Sequence, residues 1–70
     1  MSEMVTRYEV IILEVLQQGE QRSADLWMAC RQAGRCSQYA FSSALKRLVE
    51  EEESVELSRR ERDVCFWVLR

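Results

Sequence analysis

Histidine and proline are absent from this 70-residue chain, and glycine occurs only at Gly19 and Gly34. No apolar run reaches the roughly 18 residues that a membrane span requires. Without histidine, the most common general base and metal ligand is missing, and no serine or cysteine has an evident base beside it. There is no glycine-rich phosphate loop. Catalysis therefore has little support, and the chain reads as a non-enzyme. Cysteine is sparse and odd in number, at Cys30, Cys36 and Cys65, whereas a small secreted scaffold carries an even set. The spacing is wide and no Cys-x-x-Cys pair exists, so neither a metal site nor any other cofactor is expected. The N-terminus, Met1-Ser2-Glu3-Met4, lacks the basic and long apolar regions of a signal peptide. The compartment this implies is a reducing cytoplasm.

What is present is globular. Hydrophobic residues make up 47% and charged residues 31%, which is not the composition of a disordered chain. Seventy residues have room for a single domain, 1–70, with one thin core and no enclosed substrate cavity. Ten Lys plus Arg stand against twelve Asp plus Glu, a net charge of −2, so the chain as a whole is not a polycation. A local basic surface remains open.

Thr6-Arg7-Tyr8-Glu9 has the form of a capping box. Tyr8, Ile11, Ile12, Val15 and Leu16 then repeat at helical spacing, predicting a first helix over 6–18 that stops at Gly19. Ser23 is a good N-cap with Asp25 in the first turn. Leu26, Trp27, Ala29, Cys30 and Ala33 supply the apolar face of a second helix over 23–33, closed by Gly34. Cys30 belongs to that face and reads as core. Ser37 caps a third helix, where Ala40, Phe41, Ala44, Leu45, Leu48 and Val49 repeat to about residue 51. The short link from Gly34 to Cys36 draws the second and third helices into a helix-turn-helix. Beyond the run Glu50 to Glu53 the period changes. Val55-Glu56-Leu57-Ser58 alternates, and 63–69 is β-branched and aromatic, predicting two strands joined by Arg59, Arg60, Glu61 and Arg62. The fold class is mainly α with a small β-hairpin, in the order α-α-α-β-β.

With this order, the chain resembles the winged helix-turn-helix superfamily over nearly all its length. Leu26, Ala29, Gly34, Cys36, Ser37, Phe41, Leu45 and Leu48 carry the match. It departs from the pattern in two places. Ser54 follows a glutamate run where the family usually ends its third helix with glycine, and the second helix is about one residue long at its turn. A narrower resemblance, on Tyr39, Leu45, Leu48, Arg59, Arg60 and Trp67, is to small stand-alone bacterial regulators of fimbrial operons. The resemblance implies that the third helix enters a DNA groove and that the hairpin, the wing, touches flanking backbone.

Read from the residues, the outward face of the third helix is Gln38, Tyr39, Ser42, Ser43, Lys46 and Arg47, side chains suited to base edges and phosphates. Between Arg35 and Arg47 there is no acid, and Arg59, Arg60 and Arg62 make the hairpin loop basic as well. Gln38, Tyr39, Ser42 and Ser43 are the candidates for base edges; Arg35, Lys46, Arg47, Arg59, Arg60 and Arg62 are those for phosphates. The same face is also what a solvated helix surface looks like, and loop arginines can keep an edge strand soluble. Glu50 to Glu53 would repel a nearby phosphate backbone.

Two functions follow from different features. The segregated basic residues, together with the resemblance, predict a small bacterial or mobile-element transcription regulator whose partner is duplex DNA. The acidic balance predicts instead an interaction module of the same fold, acting on a larger protein partner. The last strand is apolar on both faces, Val64, Phe66 and Val68 on one and Cys65, Trp67 and Leu69 on the other. A three-helix core covers only one of them, so a homodimer through this strand is a further expectation.

Overall fold

The computed structural model describes residues 7–70. The order is α1 (Arg7–Leu16), β1 (Gln21–Arg22), α2 (Ser23–Gln32), α3 (Gln38–Lys46), a π-helical turn (Arg47–Glu51), β2 (Val55–Glu61) and β3 (Val64–Leu69). Three helices followed by an antiparallel hairpin match the α-α-α-β-β order predicted from the sequence. The capping box begins at Thr6, outside the described residues.

The core is the meeting of three helical stripes with the start of the hairpin. Ile12 and Leu16 of α1, Leu26 and Cys30 of α2, Phe41, Ala44 and Leu45 of α3, Leu48 and Val55 are all buried. Trp27 meets Phe41 with ring centroids 5.3 Å apart in a tilted pair. Ser37 caps α3 as its sequence predicts, its hydroxyl accepting the Ala40 N–H at 3.0 Å. Tyr8 donates its phenolic O–H to the Arg35 carbonyl, tying α1 to the turn before α3.

The start of α2 differs by one residue from the sequence reading. Arg22, not Ser23, is the N-cap, because residues 21–22 are held extended in β1. Asp25 accepts the Arg22 backbone N–H at 3.4 Å and pairs with its guanidinium at 3.1 Å. Ser23 instead anchors the sheet. Its hydroxyl accepts the Trp67 indole N–H at 2.7 Å, fixing the last strand to α2.

The exit of α3 replaces the missing glycine. The helix widens by one residue, so that the Glu52 N–H reaches the Arg47 carbonyl at 2.9 Å. Glu53 then takes a left-handed φ of 53°, and the Ser54 N–H closes back on the Leu48 carbonyl at 2.9 Å. This is a widened form of the glycine-type helix stop, made with a glutamate.

β3 is the centre of a three-stranded antiparallel sheet ordered β1-β3-β2. Gln21 lies opposite Trp67 and Arg22 opposite Phe66 on one side. The hairpin corrects the predicted loop. Arg59, Arg60 and Glu61 are strand residues opposite Phe66, Cys65 and Val64, and the turn is only Arg62-Asp63. A six-residue apolar strand needs a partner of matching length, and a bulge at Ser58 absorbs the extra residue. Arg62 takes a φ of 57° at the tip. The two-sided reading of β3 holds geometrically. Buried Val55 lies opposite Leu69 and Leu57 opposite Trp67, so these share the helix-facing side. Val64, Phe66 and Val68 lie on the other.

Candidate nucleic-acid interface

The core of α3 fixes what its outer surface presents. With Phe41, Ala44, Leu45 and Leu48 turned inward, the helical period sends Tyr39, Ser43 and Lys46 directly outward, with Gln38 and Ser42 beside them. All five are exposed, Tyr39 at 82%. Gln38 and Ser42 border a shallow groove with Ser23, Ala24 and Trp27 of α2. Ser42 and Lys46 border a second one with Trp67 of β3. The sheet and the outward stripe of α3 are therefore neighbours. Arg35, exposed, sits in the turn ahead of the helix.

The six cations proposed for phosphates divide into two groups. Arg35, Lys46, Arg60 and Arg62 are exposed and make no ion pair within 4 Å with another described residue. Arg47 and Arg59 are held inside the protein's own network.

Arg47 stands only 3.2 Å from Glu9, whose carboxylate is 0% exposed. It also reaches Glu52 at 3.6 Å and Glu51 at 4.0 Å. A carboxylate buried this deeply needs a cation beside it, so Arg47 is committed to joining α3 to α1. The sequence carries a signal for this. Glu9 stands three residues before Ile12 and seven before Leu16, inside the buried stripe of α1.

Arg59 pairs with Glu20 at 3.2 Å and with its strand neighbour Glu61, and its guanidinium lies 4.0 Å from the Phe66 ring centroid. Glu20 also accepts the Ser58 hydroxyl at 2.6 Å. The Arg59 guanidinium first, and then the Ser58 hydroxyl, hold the Glu20 carboxyl below the usual range. This clamp ties the bulge of the hairpin to the loop before β1. A contact between residues so far apart in the chain leaves no local trace in the sequence.

Other charges serve the fold. Arg22 holds the Asp25 carboxyl below its usual range, and Arg31 stacks 5.6 Å from the Trp27 ring. Burial pushes the Cys30 thiol up to about 11. Among the described residues, no three His, Cys, Asp or Glu side chains are grouped to hold a metal ion, and no helix is long and apolar enough to cross a membrane. No family model, curated protein or solved structure matches this chain.

Proposed function

We propose that this protein is a small winged helix-turn-helix regulator that binds duplex DNA, α3 lying in the major groove and the hairpin tip along the flanking backbone. The supporting observation is the outward face of α3. From Arg35 to Lys46 it is exposed, free of acids and made of residues that bond to base edges and phosphates. Gln38, Tyr39, Ser42 and Ser43 read the bases. Arg35, Lys46, Arg60 and Arg62 meet the phosphates, while Arg47 and Arg59 hold the scaffold that presents them.

A mobility shift against random duplex DNA at low salt tests this reading, because non-specific binding is electrostatic and emerges first there. A shift at micromolar protein supports it. Lys46→Ala should then weaken binding to every sequence and lower the salt slope by about one, whereas Gln38→Ala should cost about 1–3 kcal/mol on a selected site and relax its sequence preference. Equal losses on all sequences from both substitutions contradict the assigned roles.

A second reading rests on the sheet. Val64 is exposed and Phe66 and Val68 half-buried on the face of β3 turned away from the helices, while Leu57 and Leu69, on the other face, are exposed at 48% and 37%, so apolar side chains reach solvent on both sides of the sheet. Such a surface favours an interaction module, or a homodimer through the last strand. Absence of any shift, with self-association in sedimentation, favours that reading.

A further inference from the structure

Three arginines are gathered around Gly34, between the end of α2 and the start of α3. Arg31 lies in the last turn of α2, and Arg35 follows the glycine in the turn. Both are exposed, and both line one open depression with Gly34, Ser37 and Ala40. Arg7, the first residue of α1, reaches the same glycine from the other side. A Cβ on Gly34 would stand 3.9 Å from its Nη1. Arg7 also lines the adjoining depression, which shares Ala40 with the first.

Each of the three is positioned in a way that leaves its charge unanswered. Arg31 stacks 5.6 Å from the Trp27 ring, a contact that orients the guanidinium without neutralising it. The Tyr8 phenol donates to the Arg35 carbonyl, which fixes that backbone to α1 and leaves the side chain in solvent. None of Arg7, Arg31 and Arg35 makes an ion pair within 4 Å with another described residue, whereas Arg22, Arg47, Arg59 and Arg70 each do. The negative end of α2 accounts for one cation here, Arg31, but not for three. The surface between them is low, because Gly34 has no side chain and Ala40 only a methyl group. The Ser37 hydroxyl accepts the Ala40 N–H at 3.0 Å and keeps its own proton to donate.

We propose that Arg7, Arg31 and Arg35 form a cup for a phosphoryl group, with the Ser37 hydroxyl as a further donor. A guanidinium presents paired N–H donors that match two phosphate oxygens. A carboxylate has two oxygens and one charge, too few for three forks arriving from different elements. A phosphate has the oxygens to meet all three, and on a monoester or as the free ion a second charge. The group comes from one of two sources, a duplex backbone or a free phosphorylated small molecule. The cup does not depend on the function proposed above; only its filling by a duplex does.

The test titrates the isotope-labelled full chain with inorganic phosphate at constant ionic strength, sodium chloride making up the balance, and follows amide and arginine Nε signals. The Nε signals of Arg7, Arg31 and Arg35 and the amides of Gly34 and Arg35 should move along one saturating curve. Arg7→Gln and Arg31→Gln should each weaken the binding roughly fivefold, as the loss of one largely exposed charge pair implies, with the rest of the spectrum native. Arg70→Gln removes the same charge from another part of the surface and should leave the curve unchanged. Shifts that do not saturate, that spread equally over all arginines, or that fall equally in Arg70→Gln overturn the cup. Duplex binding of the same variants identifies the source. If the backbone fills the cup, Arg31→Gln lowers duplex affinity and reduces the salt slope by about one, and phosphate competes with the duplex. Saturable phosphate binding with unchanged duplex affinity supports the cup with a small-molecule source. Saturable phosphate binding by a protein that binds no duplex supports the cup and ends the DNA reading. Duplex binding without saturable phosphate shifts overturns the cup and leaves the DNA reading standing.

Discussion

The front of α3 and its exit follow one another along a single stretch of chain, yet they use charge in opposite ways. From Arg35 to Lys46, cations and polar side chains face solvent and no acid stands among them. From Arg47 to Glu53, the single arginine is surrounded by Glu9, Glu51 and Glu52, and the acids outnumber it. The hairpin repeats the contrast: Arg59 is clamped by Glu20 and Glu61, while Arg60 and Arg62 remain exposed towards the tip. A basic residue therefore does not mark a phosphate contact by its sequence position. What matters is whether a carboxylate of the fold has reached it first. Arg47 and Arg59 position surfaces, and their neighbours present them.

The largest way to break the comparison is at Arg47. If this residue belongs to the scaffold, Arg47→Met should destabilise the fold by about 3 kcal/mol, because it removes the guanidinium 3.2 Å from a carboxylate that stays buried. Glu9→Gln should cost less, since the Arg47 side chain is 34% exposed and still has Glu51 and Glu52. Replacing both residues by apolar side chains should recover most of the loss. Urea unfolding of the three variants measures this. A small loss for Arg47→Met, accompanied by a large loss of DNA affinity, would return Arg47 to the phosphate set.

A smaller effect sharpens the same contrast at the helix exit. Glu53 holds a left-handed φ of 53°, where a side chain costs about 1–2 kcal/mol relative to glycine. Its pair with Arg70, at 3.6 Å and mostly exposed, offsets little of this. Glu53→Gly should therefore stabilise the protein by about 1 kcal/mol and remove an acid from the negative end of the helix. An unchanged or lowered urea midpoint would show that the exit turn is not held against strain.

These two regions also separate what a sequence can show from what it cannot. The outward face of α3 was legible because periodicity alone places it: Phe41, Ala44, Leu45 and Leu48 claim the inside, so Tyr39 and Lys46 must face out. The stop after Leu48 was only half legible, since nothing in Glu50 to Glu53 announces a π-helical turn or a left-handed glutamate. Arg59 and Arg60 read as loop because charge usually marks connections. The length of β3 decides otherwise, and a six-residue strand extends its partner to Glu61. β1 is two residues long and carries no pattern of its own; it exists because β3 has a second edge to satisfy. Glu9 was hidden by a competing motif: the capping-box pattern assigned it to the helix end, while its spacing from Ile12 placed it in the core.

The finest test is at Glu20, where the hairpin contrast can be reversed by one substitution. The Glu20 carboxyl is held below the ordinary range by Arg59 and Ser58, so it is more acidic folded than unfolded. Its contribution to stability is present above the ordinary carboxyl range and is lost as pH falls through that range to its lowered folded value. Glu20→Gln removes this contribution, so the variant should be slightly less stable at neutral pH and less sensitive to acid. Asp25, lowered in the same way by Arg22, supplies an acid-sensitive background common to both proteins, which is why the difference between the two curves is the quantity to measure. The same substitution loosens Arg59 and takes a negative charge from beside the hairpin, so non-specific duplex affinity should rise and its salt slope steepen by up to about one. If the acid limbs coincide, the clamp contributes nothing to the fold. If affinity falls, Arg59 is needed where Glu20 holds it, and the line between scaffold arginines and contact arginines runs elsewhere in the hairpin.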